Sequence, residues 1–185
     1  MTNKDKALAL INTFATGDTD AAKNLLAEGY IQHNLAYGTG RDAFLGSVAY
    51  LASAPVKTTV NNIRAFEDGD KVFLQTVYNF AGAGEQVAFD IFRFDSNGKI
   101  DDGLSGLGAA LEALGKQGIQ MIYDQTYQVL ADGNYGLAVS EGSFGGAHTS
   151  YYDLFRVENG KIVEHWDVME TIADESTWQN QNGKF

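Results

Sequence analysis

FDIFRFDSNGKI at residues 89–100 returns as YDLFRVENGKI at residues 152–162. Self-similarity at a nearly constant offset marks repeated units of one fold, so this strand-and-turn text sets the reading of everything around it. The register extends upstream. Phe66-Glu67-Asp68-Gly69-Asp70 aligns with Leu130-Ala131-Asp132-Gly133-Asn134, and GRDAFLGSVAYL at 40–51 aligns with GLSGLGAALEAL at 103–114. The flanks differ. Only the first copy is preceded by helical text and by Tyr30-Ile31-Gln32-His33-Asn34, and only the second is followed by Ile162-Val163-Glu164-His165-Trp166-Asp167.

Around this repeat, apolar spacing alternates between two periods. Ala7, Leu10, Ile11 and Phe14 recur at three and four residues, which predicts a helix that Gly17 can terminate. A short second helix follows, with Asp18, Thr19 or Asp20 as its N-cap and Leu25 and Leu26 on its buried side. Phe44, Leu45, Val48 and Leu51 repeat the helical spacing up to Pro55. Their counterparts Leu104, Leu107, Leu111 and Leu114 predict a helix in the second copy. Strands are expected over 58–66, 72–80, 86–94, 121–130, 135–144, 148–157 and 162–169, separated by EDGD, AGAGE, ADGN, GGA and ENGK turns. Helices followed by a run of antiparallel strands is an α+β layout.

Composition narrows the partners. Thirteen basic and 24 acidic residues leave a formal charge of −11, which opposes binding to nucleic acid or an anionic membrane surface. The 44% hydrophobic content suffices for a packed core. No cysteine is present, which rules out disulfides and thiolate chemistry and suits a reducing compartment. The first fourteen residues hold no unbroken apolar stretch, so no signal peptide or membrane span is expected there, and a cytoplasmic location is.

Alternation along a strand places Asp90 on one face with Phe92 and Phe94, and Asp153 with Tyr151 and Phe155. Apolar neighbours disfavour the charged carboxylate and prepare an acid or base for work near neutrality. A carboxylate paired with an arginine is the plainer alternative. His33 and His165 can exchange protons or orient a polar substrate, and Asp167 shares the parity of His165, whereas Trp166 faces the other way. Each histidine could equally be a satisfied structural group. No HxH or HExxH spacing supports a metal site, and no GxGxxG, GxxxxGK[ST] or GxSxG motif supports a nucleotide or a serine nucleophile. No cofactor is expected.

Helix, GD turn, helix, YIQHN, helix, and strands ending in DIFRxxxGKI and GKIVEHWDV together resemble the SnoaL-like branch of the nuclear transport factor 2-like superfamily. The resemblance covers nearly the whole chain as one and a half units. It implies a cone-like fold of N-terminal helices on a curved, mainly antiparallel sheet, here partly duplicated, enclosing an apolar pocket. Polyketide cyclases, ketosteroid isomerases, limonene epoxide hydrolases and dehydratases are among such proteins, as are members without known activity. Fold kinship leaves function open.

In that family each unit pairs a YIQHN-like strand with an EHWD-like strand. The resemblance therefore divides the chain into a first unit, residues 1–100, without its closing strand, and a second, residues 101–185, without its opening helices and first strand. The opening strand around Ile31 is then expected to pair with the closing strand around Trp166, bringing His33 and His165 to one cavity. The implied activity is general acid/base chemistry on a largely apolar carbonyl or cyclic substrate, of isomerase, cyclase or dehydratase type. Its candidate catalytic groups are His33, Asp90, Asp153, His165 and Asp167, and its substrate-binding candidates are Tyr30, Phe92, Phe155 and Trp166. A non-catalytic ligand-binding or dimerisation module is the alternative, associating through an outer sheet face bearing Tyr78, Tyr152, Leu154 and Trp166. The expected partners are a small apolar molecule and either a second copy in a homodimer or the chain's own other half.

Overall fold

The computed structural model describes residues 1–108 and 121–185. Three helices lie in the N-terminal part of the chain: α1 (Asn3–Thr16), α2 (Thr19–Leu25) and, after the first strand, α3 (Arg41–Ser53). The Thr2 hydroxyl accepts from the Asp5 amide while the Asp5 carboxylate accepts from the Thr2 amide, so α1 begins with two orphan donors satisfied reciprocally. Gly17 ends it in the left-handed region at φ 76°. Asp18 then caps α2 by accepting from the Ala21 amide at 2.8 Å.

Strands β1 (Leu26–Gln32), β2 (Thr59–Asp68), β3 (Lys71–Asn79), β4 (Gln86–Phe94) and β5 (Ile100–Gly108) form one sheet in the order β1-β5-β4-β3-β2. Strands β6 (Met121–Asp132), β7 (Tyr135–Phe144), β8 (Ala147–Glu158) and β9 (Lys161–Thr171) form a second, wholly antiparallel sheet in sequential order. The architecture is α+β with a duplicated strand half, as the alternating periods predict.

Two expectations need correction. Residues 103–108 are strand, not the start of a helix; the remainder of that predicted helix, 109–114, lies outside the described residues. Leu104 faces the space between the sheets while Gly103 and Ser105 face the other side of β5, so a period of two was concealed by small residues on one face. In addition, β1 pairs in parallel with β5, through Ile31 with Asp102 and Gln32 with Gly103, and β9 lies in the other sheet. The composite pairing of the strands around Ile31 and Trp166 does not occur. The first unit finds a fifth strand just beyond residue 100, where the repeat alignment had ended it.

Two cores result. α1 and α3 cover one face of the first sheet through Leu10, Ile11, Phe44 and Val48 against Leu74, Ala88 and Phe92. The opposite face packs on the second sheet, joining Phe66, Phe73, Phe89, Ile91 and Leu104 to Leu137, Val139, Tyr152, Leu154 and Val168. Tyr152, Leu154 and Trp166, expected on an exposed association face, are therefore enclosed by or packed on this inter-sheet core, with the Arg64 guanidinium 4.1 Å above the Trp166 ring. The sheets approach closely at Gly106, where a Cβ would stand 2.4 Å from the Tyr152 ring.

Gly106→Ala should therefore destabilise the fold by about 1–3 kcal/mol, the usual cost of overpacking. Thermal unfolding of the single variant and of Gly106→Ala combined with Tyr152→Leu checks this: the double variant should recover part of the loss, because the smaller side chain clears the contact.

Candidate active site

A cavity of about 610 Å³ lies between the helices and the first sheet. Ile11 and Phe14 of α1, Phe44 and Tyr50 of α3, and Phe92 of β4 make most of its wall apolar. Its polar groups are few and come from different strands. Tyr30 enters from β1, Tyr78 from β3, Asp90 from β4 and Ser105 from β5, while Gln32, Asn34 and Tyr37 contribute amides and a phenol.

Alternation explains this set. Ala88, Asp90 and Phe92 point into the cavity from β4, while Phe89 and Ile91 point into the inter-sheet core. In the ladder Asp90 stands opposite Leu74 on β3 and Ser105 on β5. Tyr78, four residues beyond Leu74 and so on the same face, donates its hydroxyl to Asp90 Oδ2 at 2.8 Å. The Asn62 amide donates to Thr76 Oγ1 at 3.1 Å, two residues before Tyr78 on the same face of β3. Burial dominates at Asp90 and pushes its carboxyl up to about 6, although Ser105, Tyr78 and the charge of Lys184 each act against the rise. Tyr78 is driven well above the ordinary tyrosine value, first by burial and then by the neighbouring Asp90 charge.

Tyr30 is also raised, by burial first and by Asp90 and Asp102 second, so it remains a proton donor. Its hydroxyl lies over Gly103, where a Cβ would come within 2.1 Å of the oxygen. Only glycine leaves room there. Among the described residues this hydroxyl has no hydrogen-bond partner, unlike that of Tyr78.

The other candidates lie elsewhere. His33, one residue out of phase with Gln32 and Asn34, faces a separate polar cleft of about 300 Å³ that also contains Lys71, Arg93, Asp102 and Gln128. Its Nδ1 donates to the Gly183 carbonyl at 3.0 Å and its Nε2 faces Asp102 Oδ2 at 3.3 Å. Burial opposes the charged imidazolium, yet these two acceptors outweigh it and raise the His33 pKa. His165 Nε2 contacts Asp153 Oδ1 at 2.8 Å on the outer face of the second sheet, with the Phe155 ring stacked on the imidazole at 4.6 Å. Burial raises the Asp153 carboxyl and His165 offsets part of that rise. Asp167, opposite Asp153 in the ladder, is exposed. Asp90, Tyr30 and Phe92 thus share the cavity, whereas His33, Asp153, His165, Asp167, Phe155 and Trp166 do not line it. The two imidazoles are not brought to one chamber because their strands belong to different sheets.

Tyr78, expected on an outer face, lines the cavity, as does Ser105, which falls in a stretch whose spacing predicts a helix. Knowing the β3–β4 register would have exposed the first, since Leu74 and Tyr78 share parity with Asp90. Nothing local marks the second. Among the described residues no group of three or more histidine and acidic side chains could hold a metal, and no helix is long and apolar enough to cross a membrane.

The model of the SnoaL-like domain matches residues 7–103, more than half of the sequence. The chain belongs to the SnoaL-like family. No curated protein has a matching sequence. Solved structures similar to this SnoaL-like chain include an NTF2-like protein of Cytophaga hutchinsonii, at 20% identity and a TM-score of 0.49, covering 58% of this chain and 90% of that one. A cystatin-fold protein of Novosphingobium aromaticivorans, at 13% identity and a TM-score of 0.50, covers 57% of this chain and 97% of its own. An LEH-like epoxide hydrolase of M. tuberculosis, at 16% identity and a TM-score of 0.49, covers 56% and 80%. At these identities the likeness is one of fold. Each relative is matched over little more than half of this SnoaL-like chain.

Titration of Asp90 has a consequence for stability. In the unfolded chain it should ionise near the ordinary aspartate value of about 4, and in the fold at about 6. The folded carboxyl holds its proton more tightly, so its contribution to stability is full below pH 4 and is lost as pH rises through 6. Asp90→Asn should be more stable than the parent at pH 8, by on the order of 3 kcal/mol. Urea unfolding at several pH values should show the parent's decline between pH 4 and 6 flattened in the variant.

Proposed function

We propose that the protein is a small-molecule enzyme that moves a proton on a largely apolar carbonyl-containing or cyclic substrate, with Asp90 as the acid/base. The observation that carries this reading is the Asp90 carboxyl, among the described residues the one acid lining a largely apolar cavity large enough for such a molecule, with burial pushing it up to about 6. Asp90 as the carboxylate takes a proton from the carbon next to the substrate carbonyl. Negative charge then moves to the carbonyl oxygen, and the hydroxyl of Tyr30, without a hydrogen-bond partner among the described residues, is the donor suited to stabilise it. Tyr78, already donating to Asp90, fixes the carboxyl in place. Return of the proton to another carbon completes an isomerisation, and loss of a β-hydroxyl as water instead completes a dehydration. Phe14, Phe44 and Phe92 exclude water and hold the carbon skeleton.

The histidines carry no step in this scheme. His33 and His165 each have a carboxylate neighbour outside the cavity, which suits them to structural work. The LEH-like epoxide hydrolase among the similar folds is an enzyme, which agrees with catalysis on this scaffold without selecting the reaction.

Hydrophobic enones, β-hydroxy ketones and cyclic ketones form the substrate panel. With any compound that turns over, Asp90→Asn should lower kcat by about 10²–10⁴-fold, the usual contribution of a positioned acid or base, while ligand affinity measured by calorimetry stays within a few-fold. His33→Ala and His165→Ala should retain turnover. Undiminished activity in Asp90→Asn would remove the carboxyl from the mechanism.

A further inference from the structure

After β9 the chain crosses from the second sheet back to the first. Its backbone and side chains bind one continuous loop there. The Gln179 amide donates to the Leu35 carbonyl at 3.0 Å, and the Asn180 side chain donates to the carbonyls of Asn34 and Tyr37 at 3.1 and 2.9 Å. The Asn182 side chain donates to the Gln32 carbonyl and Thr39 hydroxyl, both at 2.7 Å. Gln32, Asn34 and Tyr37 line the cavity.

Lys184 then enters the molecule, with its side chain only 3% exposed. Its ammonium donates to the Ser105 carbonyl at 2.9 Å and to Glu170 Oε2 at 2.7 Å. A buried lysine needs such partners, because its isolated charge would be costly. The position of this bond is informative. β1 runs out beside β5 at Gln32 and Gly103, and the His33 amide makes the next bond to the Gly103 carbonyl at 3.0 Å. Two residues farther along β5 the next carbonyl on that edge belongs to Ser105, and Lys184 supplies the donor that a longer β1 would have provided. Ser105 is also the ladder partner of Asp90, its side chain lies in the same cavity wall, and it acts to lower the Asp90 pKa.

We propose that Lys184 is a positioning residue for the cavity: it caps β5 at Ser105, keeps Ser105 against the Asp90 carboxylate, and supplies that acid with a buried positive charge from the far end of the chain. The inference rests on the proton-transfer role proposed above for Asp90. Among the described residues the groups around the acid are Tyr30 from β1, Tyr78 from β3, Ser105 from β5, Tyr152 from β8, Glu170 from β9 through its pair with Lys184, and Lys184 itself. Among these, only Lys184 brings a positive charge. Asp90 is drawn down by it, against the larger effect of burial.

The test reads the carboxyl directly and needs no substrate. The carboxyl carbon of Asp90 is followed by NMR against pH in aspartate-labelled protein, with Asp90→Asn identifying the signal. Lys184→Met should raise the midpoint by at least about half a pH unit, as expected when a nearby opposite charge is removed, and Lys184→Arg should hold it near the parent value. Glu170→Gln, which removes the anion beside the ammonium, should move the midpoint downward. A packing role alone would not give opposite shifts in the two variants. An unmoved midpoint in folded Lys184→Met overturns the inference; if that variant does not fold, a downward shift in Glu170→Gln supports it and an unmoved one overturns it. A parent midpoint in the ordinary aspartate range would instead defeat the proposed acid/base role, while the shifts between variants would still decide the part played by Lys184.

Discussion

β4 is buried on both faces, and the rest of the molecule is arranged around that constraint. One face sends Ala88, Asp90 and Phe92 toward the helices; the other sends Phe89 and Ile91 toward the second sheet. A strand with two apolar surroundings requires two covering layers. The N-terminal helices make one and the repeated strands make the other. Because the second layer seals the back of the strand, the only carboxyl on its front lies in a setting that water does not screen, and its proton affinity follows from that enclosure.

The duplication therefore produced unlike halves. Asp90 and Asp153 occupy equivalent places in the two repeats, yet their environments differ. Helices cover the first, and a phenol donates to it. The second lies on a face reached by His165, whose side chain is 42% exposed, and the two share a hydrogen bond. The same sequence position has become a candidate acid in one copy and a histidine's hydrogen-bond partner in the other, and the difference lies in what packs above it.

Much of this was readable before any coordinates. Helix α1, its Gly17 terminus, the Asp18 cap, and the strands of both copies follow from spacing and turn residues, because those signals are local. Asp90, Phe92 and Tyr30 could be placed on a pocket face from parity and family likeness. What could not be read depends on pairing across distance. β5 looked helical because Leu104 and Leu107 are three apart, and only the β4 ladder overrides that preference. His33 looked like a pocket residue because its motif is one, but one step of alternation turns it to the opposite side. The sheet-on-sheet packing gave Tyr152 and Trp166 an internal partner that no stretch of sequence announces. Lys184 carried no motif at all.

The bonds between Asn182 and Gln32 and between His33 and Gly183 each span 150 positions. Closing so long a loop costs entropy that local contacts do not repay until the two sheets have already met. The helices and first hairpins can organise as they emerge from the ribosome, but the rim beside the acid must wait for residues 179–184. Maturation of the chamber is thus a late folding event, and the repeat that looks redundant in the sequence is the arm that delivers its final piece.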